Sequence, residues 1–152
     1  MLRILRELLE FTPQESGTDI SEALRFLTNA IKKMCNAFLL SDLLDVDANA
    51  APKYEEALKI AANRHDLSVI EIYDPRERDL PDVGLVRVCD AESGAQRWIN
   101  TSSASVRKSY SQWNEKVQAE AEKLFRKTKV ESVSISTSDD YVKNLISFFK
   151  RK

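Results

Sequence analysis

The stretch NAFLLSDLLD, residues 36–45, begins as a buried strand and then turns acidic. Its apolar run AFLL is typical of a strand in a parallel sheet that is covered on both faces. A serine and Asp42 follow at once, with Asp45 and Asp47 close behind. In open parallel sheets, ligands bind outside the carboxyl ends of the strands. The stretch therefore predicts an α/β fold and places Asp42 at the edge where such a sheet binds ligands.

Length and charge limit the class of protein. The chain has 152 residues, the size of one domain, with 43% apolar residues and 23 basic against 24 acidic side chains. This balance lacks the basic excess of a nucleic-acid binder. No apolar run is long enough to span a membrane, and Arg6, Glu7 and Glu10 interrupt the apolar N-terminus, which is therefore not a signal peptide. We predict a single, partial domain over residues 1–152, cytoplasmic, with no nucleic-acid or membrane partner.

Helices and strands alternate along the rest of the chain. Apolar spacing predicts an amphipathic helix near the N-terminus, a helix from the Asp19 cap to about Met34, and a helix beginning near Pro52. Further segments are predicted as a strand over 67–74, a charged loop over 73–82, a hairpin formed by LVRVCD and QRWINT around AESG, a long helix capped by Ser102 or Ser103, a strand over 130–137 and a closing helix.

This order predicts a mostly parallel, Rossmann-like sheet with helices on both faces and a β-hairpin insertion. Only three strands have the parallel pattern, and the chain opens on a helix, whereas doubly wound sheets usually have five or six strands. We therefore expect that the N-terminal strand or strands of the sheet are missing. An incomplete sheet exposes an edge, which predicts a homo-oligomer formed through that edge.

Thr18, in the segment SGTDI, precedes a helix and should lie at the same rim of the sheet as Asp42. A hydroxyl and a carboxylate are hard oxygen ligands, suited to Mg²⁺, Mn²⁺ or Ca²⁺. The alternative is that Asp42 is an ordinary turn former or helix cap. Asp45 and Asp47 are interpreted as solvated turn residues.

Several longer segments resemble a known family: GTDISEALRFL, FLLSDLLD, RHDLSVIEIYDPRERDLPDVGLVRVCDAESGAQRWINT and STSDDYVKNLISFFKRK. They resemble the C-terminal part of domain of unknown function family fifty-eight, a bacterial group of von Willebrand factor A-like proteins. Members are often encoded beside MoxR-type AAA+ ATPases. The resemblance covers nearly the whole chain.

The resemblance implies a metal-ion-dependent adhesion site and a non-enzymatic, protein-binding function. Such a site combines an Asp-x-Ser-x-Ser motif with a Thr, matched by Thr18, and an Asp, matched by Asp42. The first motif is absent from this sequence. Mg²⁺ binding by this chain alone should therefore be weak or absent. The family context implies a protein partner, in particular a AAA+ ATPase.

Two other functions remain open. Asp42 could serve a Mg²⁺-dependent phosphotransfer or hydrolase enzyme, or the chain could be a purely structural interaction domain without metal.

His65, the only histidine, falls between a helix and a strand, and we assign it a structural role. Trp98 and Trp113 are predicted to pack in the core, with Trp98 a candidate partner surface if the hairpin projects. Two cysteines give no disulfide framework and are predicted as small apolar residues in or near the core.

Overall fold

The computed structural model of the chain describes residues 2–12, 17–89 and 94–152, apart from the side chains of Leu2 and Leu8. Its elements in chain order are α1 (Leu2–Glu10), α2 (Ile20–Ala30), β1 (Asn36–Ser41), α3 (Glu55–Arg64), β2 (Asp66–Tyr73), α4 (Pro75–Arg78), β3 (Leu85–Cys89), β4 (Gln96–Asn100), α5 (Ala104–Thr128), β5 (Glu131–Ser136) and α6 (Tyr141–Arg151).

The main sheet has three parallel strands in the order β1-β2-β5. In its register Leu39 of β1 lies opposite Val69 of β2, which lies opposite Ser132 of β5. Strands β3 and β4 form a separate antiparallel pair. In the part of the chain that the structure describes, both outer strands keep one edge without a strand partner. The predicted fold, a mostly parallel sheet with a hairpin insertion, is confirmed.

Helices lie on both faces of this sheet. Successive strand residues point to opposite faces, so each strand contributes side chains to both. Leu67 and Val69 of β2 pack in the main core with α2, α3 and α5, and Leu39 of β1 packs against that core. Phe38, which precedes Leu39 on β1, points to the other face. Its ring meets that of Phe149 of α6 edge to face, with the ring centroids 5.7 Å apart. Each fully buried apolar side chain contributes about 1.5–3 kcal/mol to the fold.

Two predicted helix boundaries were wrong. Helix α2 ends at Ala30 rather than near Met34, because Ile31 adopts an extended backbone and Met34 is 78% exposed, so no buried face continues the helix. Helix α3 begins at Glu55. Pro52 lies before it in a bridge with Val46, at the base of a turn that connects β1 to α3.

The predicted charged loop is partly helical. Its residues 75–78 form the short helix α4, because Pro75 suits a first helical turn and the Asp74 side chain accepts a hydrogen bond from the amide of Arg76 at 2.9 Å. The AESG turn of the hairpin falls mostly outside the described residues, although Gly94 has the positive φ expected of it. Ser103 lies at the N-terminus of α5 without a side-chain capping bond to the helix.

The core prediction was wrong for two aromatic residues and one cysteine. Trp98 on β4 is 63% exposed and Trp113 on α5 is 40% exposed, because the hairpin and the first half of α5 lie outside the main core. Cys89 is exposed, while Cys35 is half-buried. None of the described helices is long and apolar enough to cross a membrane.

Candidate functional site at the carboxyl ends of the strands

Asp42 follows β1 directly and its side chain is exposed. Its Oδ1 accepts a hydrogen bond from the amide of Leu44 at 3.2 Å and lies 3.5 Å from the hydroxyl of Ser41. Leu43 between them has a left-handed backbone, with φ of 63°. The chain therefore makes a side-chain-stabilised turn immediately after the strand. Oδ2 of Asp42 has no hydrogen-bond partner among the residues that the structure describes.

Asp45 is the residue that joins this turn to the segment containing Thr18. It is only 5% exposed, and its Oδ2 accepts a hydrogen bond from the amide of Ile20 at 3.0 Å. Lys53 Nζ lies 3.5 Å from its other oxygen. Thr18 is exposed two residues before Ile20, the first residue of α2. A buried carboxylate at a helix N-terminus thus anchors the Thr18 segment to the connection that follows Asp42.

The prediction that Asp45 is a solvated turn residue was therefore wrong, whereas the same prediction for Asp47 is confirmed. Asp47 is exposed and accepts hydrogen bonds from the amides of Asn49 at 2.8 Å and Ala51 at 2.9 Å. These bonds, chiefly the one from Ala51, hold the pKa of Asp47 below its usual range. Spacing alone does not separate the two residues, because each follows an apolar residue in the same connection.

Tyr54 lies beneath the rim and was not predicted as part of the site. Its side chain is fully buried, and its hydroxyl has no hydrogen-bond partner within the described ranges. Burial raises its pKa, and the nearby carboxylates of Asp45, Glu71 and Asp42 raise it further. The phenol therefore stays protonated, as a donor near the three carboxylates of the rim.

Glu71 and Arg78 form an ion pair beside these residues. Glu71 lies opposite Ser41 in the sheet register, and its Oε1 is 2.6 Å from Nη2 of Arg78. Both side chains are mostly buried, and the Arg78 guanidinium stacks over the ring of Tyr73 at 3.2 Å from its centroid. Arg78 belongs to the segment predicted as a charged loop, and the structure instead places it in the short helix α4 with its side chain mostly buried. The charge of Glu71 is therefore neutralised by Arg78.

The donors at this rim match Mg²⁺ in type but not in number. Thr18 and Asp42 supply two hard oxygen atoms, whereas Mg²⁺ takes six ligands in near-octahedral order. Across residues 2–12, 17–89 and 94–152, no group of three or more His, Cys, Asp or Glu side chains is arranged to hold a metal ion. The remaining rim carboxylates are engaged, Asp45 with Ile20 and Lys53, and Glu71 with Arg78. Among the described rim carboxylates, Asp42 therefore keeps one oxygen outside these contacts.

His65 lies at the opposite, amino-terminal end of the sheet. It is buried directly before β2, and its amide donates to the carbonyl of Ala61 at the end of α3. Its Nδ1 is 3.4 Å from Sγ of Cys35. Nε2 is buried without a partner among the described residues. Burial between a helix end and a strand start supports the structural role predicted for it.

Comparison with known proteins gives a family and a fold. The model of the family described as "Protein of unknown function DUF58" matches residues 1–120. An uncharacterized protein of Mycobacterium avium is 26% identical over 134 residues, which are 88% of this chain and 76% of that protein. An uncharacterized protein of Mycobacterium tuberculosis is 28% identical over 148 residues, which are 97% of this chain and 44% of that protein. The chain thus spans less than half of this longer relative.

A solved structure shows the same architecture. The crystal structure of the conserved hypothetical protein BatB from Bacteroides thetaiotaomicron superposes with a TM-score of 0.51 at 17% identity. The match covers 99% of this chain and 68% of that one. At this identity the similarity concerns the fold, and it agrees with the von Willebrand A-like sheet expected from the sequence.

Proposed function

The chain belongs to the DUF58 family of proteins of unknown function, and from that premise we propose that it is a non-enzymatic protein-binding module. The observation that carries the proposal is the exposed Asp42 at the carboxyl end of β1, with one carboxylate oxygen outside the turn hydrogen bonds. The exposed Thr18 segment is held to the same connection by Asp45. Ligands of open parallel sheets bind at this edge.

Within this proposal, Asp42 and Thr18 are the part of an adhesion-type metal site that this chain contributes. The other rim carboxylates are held by protein groups and so are not available as ligands. A longer protein that carries the Asp-x-Ser-x-Ser motif would supply the missing oxygen ligands. In this chain the two side chains present a carboxylate and a hydroxyl to a protein surface.

We further propose that the partner is a protein, in particular a MoxR-type AAA+ ATPase, and that the complex is cytoplasmic without nucleic acid or membrane. The near-equal numbers of 23 basic and 24 acidic residues support the absence of a nucleic-acid partner. Binding of such an ATPase to the chain, measured by calorimetry, tests the proposal. Asp42→Ala should weaken binding about tenfold or more, while Asp47→Ala, which removes an exposed carboxylate from the same connection, should leave it unchanged. Equal binding by the parent chain and both variants would exclude a role for Asp42.

The metal part of the proposal is tested by thermal unfolding with Mg²⁺ or with chelator. A site with only two protein ligands should bind in the range of 10 mM or weaker, so 10 mM Mg²⁺ should raise the melting temperature by no more than about 2 °C. A version lengthened by the segment of a longer relative that carries the Asp-x-Ser-x-Ser motif should gain about 5 °C or more. Asp42→Ala should abolish that gain and Asp47→Ala should not.

Two results would contradict this prediction. A large Mg²⁺ response of the chain by itself would mean that its own residues complete the site. No response from the lengthened protein would favour a second candidate, a purely structural interaction domain. That candidate has one observation in its support, since Oδ1 of Asp42 already serves the turn after β1 by accepting from Leu44.

The outer edge of β1 has no strand partner in the part of the chain that the structure describes, which predicts self-association. Phe38 is 45% exposed and Leu40 is 59% exposed, so this edge presents apolar side chains as well as unpaired backbone groups. We expect a dimer or larger species in sedimentation velocity at high concentration. Leu40→Lys, which places a charge on the edge, should shift the chain to monomer, whereas Leu85→Lys on the hairpin should not. A monomeric parent chain at the highest concentration would contradict the prediction.

A further inference from the structure

The outer edge of β5 offers unpaired backbone groups in a defined order. The amide of Thr137, directly after the strand, donates to Tyr73 of β2 at 2.9 Å, so odd-numbered residues of β5 direct their backbone groups toward β2. Since backbone groups alternate between the two edges of a strand, those of Ser132, Ser134 and Ser136 point outward. The amide of Ser136 is used by the Asp139 side chain at 3.3 Å. Ser132 and Ser134 keep theirs without a partner in the described part of the chain.

A groove runs beside this edge, between β5 and α5. It has a volume of about 550 Å³. The side chains of Ser132 and Ser134 line it on the strand side, because they share a sheet face with Val69 and Glu71 of β2. Phe125 of α5 lies on the opposite wall. Small hydroxyl side chains on one wall leave room for the side chains of an added strand.

The charges of the groove favour an acidic occupant. Arg78 pairs with Glu71 at 2.6 Å, and Arg126 lies 3.8 Å from Glu122. Lys129, which ends α5 in a left-handed conformation, lines the same groove and has no acidic partner among the described residues. A third lining carboxylate, Glu131, alternates with Ser132 along β5 and so directs its side chain to the opposite face of the sheet. On the groove face Lys129 is therefore the cation without a carboxylate partner among the described residues.

We propose that this groove binds an extended peptide, which adds as a fourth strand beside β5 and directs an acidic side chain toward Lys129. Main-chain hydrogen bonds to Ser132 and Ser134 would supply affinity, and the pockets for alternate side chains would supply specificity. The β1 edge of a second copy fits less well, since NAFLLS carries no charged side chain to match Lys129. The surface is separate from Asp42 and extends the proposed protein-binding function to a second site.

The test begins with a library of random twelve-residue peptides displayed on phage and selected against the whole chain. Selected peptides are synthesised and their affinities measured by fluorescence anisotropy. We expect enrichment of Asp or Glu among β-branched residues. Ser134→Pro removes one outward amide without removing a bond to β2, and should weaken binding about tenfold. Ser134→Ala keeps that amide and should bind within about twofold of the parent. Lys129→Glu should weaken binding of acidic peptides about tenfold or more.

The chemical shifts of the backbone amides show where on the chain the peptide binds. Bound peptide should perturb the amides of Ser132 and Ser134 and leave those of Leu39 and Leu40 on β1 unchanged. The proposal is overturned if no peptide is selected, if Ser134→Pro binds as tightly as Ser134→Ala, or if the shifts map to β1. It is also overturned if Ser134→Pro abolishes self-association of the chain without peptide, since the occupant is then a second copy. Should Ser134→Pro fail to fold, as judged by circular dichroism, the Lys129 variant and the shifts decide alone.

Discussion

Replacing Tyr54 with alanine should cost about 3–5 kcal/mol of the free energy of unfolding, the range for removing a buried aromatic ring. Its side chain is fully buried and belongs to the main core, so its removal leaves a cavity that close-packed neighbours fill only in part. Urea unfolding followed by circular dichroism measures the change. A loss below about 2 kcal/mol would mean that the core collapses around the site or that the ring is not packed as described.

Tyr54→Phe is the matched control, because it keeps the ring and removes only the hydroxyl. That hydroxyl has no partner among the described residues, so its loss should leave stability unchanged or raise it by about 1 kcal/mol. A loss of about 1 kcal/mol or more would show instead that the hydroxyl is hydrogen-bonded, for example to an ordered water at the rim.

The pH dependence of stability gives a further consequence of the same geometry. The pKa of Tyr54 is raised in the folded protein by burial and by the carboxylates of Asp45, Glu71 and Asp42. As pH rises past the ordinary tyrosine pKa near 10, the unfolded chain loses this proton first. The stabilisation from neutral Tyr54 is therefore complete below that pH and is lost above it, by up to about 1.4 kcal/mol per pH unit. Tyr54→Phe lacks this loss, and parallel curves for the two proteins between pH 9 and 11 would contradict the assignment.

The strands could be predicted from the sequence because each carries its own pattern. The apolar run after Asn36 became β1, and the strand predicted over 67–74 became β2 at Asp66–Tyr73, shifted by one residue at each end. Strand β2 is buried over successive residues, whereas alternate residues of β1, Phe38 and Leu40, are exposed. In both strands the short continuous apolar run is nevertheless a local signal that the sequence carries. Helix ends were less predictable, as Met34 shows, since its apolar side chain has no face of the protein to pack against.

The rim could be predicted only in part. Asp42 follows its strand in sequence, so its place at the carboxyl edge was accessible from local pattern. The burial of Asp45 and the ion pair of Arg78 with Glu71 depend on contacts between segments far apart in the chain. Tyr54 directly precedes α3, and the raised pKa of its buried hydroxyl becomes apparent only once the carboxylates of Asp45, Glu71 and Asp42 are placed.

Replacing Asp45 with alanine should destabilise the protein by about 2–3 kcal/mol, the cost of leaving a buried amide without its charged acceptor. The amide in question is that of Ile20, which donates to Asp45 Oδ2 at 3.0 Å at the start of α2. Asp45→Asn retains an acceptor oxygen and should lose less, about 1 kcal/mol. Asp47→Ala, in the same connection but exposed, should destabilise the protein less than Asp45→Ala does.

The Asp45 variant also separates the anchoring role of this residue from general stability. If Asp45 holds the Thr18 segment, Asp45→Ala should increase hydrogen exchange at the amides of Thr18 and Ile20 well below the temperature of global unfolding, since local opening needs less free energy than unfolding. Exchange at Val69 in the core should rise only as much as the global stability falls. Equal increases at all three amides would mean that Asp45 stabilises the whole fold and does not anchor the rim. A selective increase would make Asp45 the residue that holds the Thr18 segment to the connection after Asp42, and binding that needs both segments should then fall even where the protein remains fully folded.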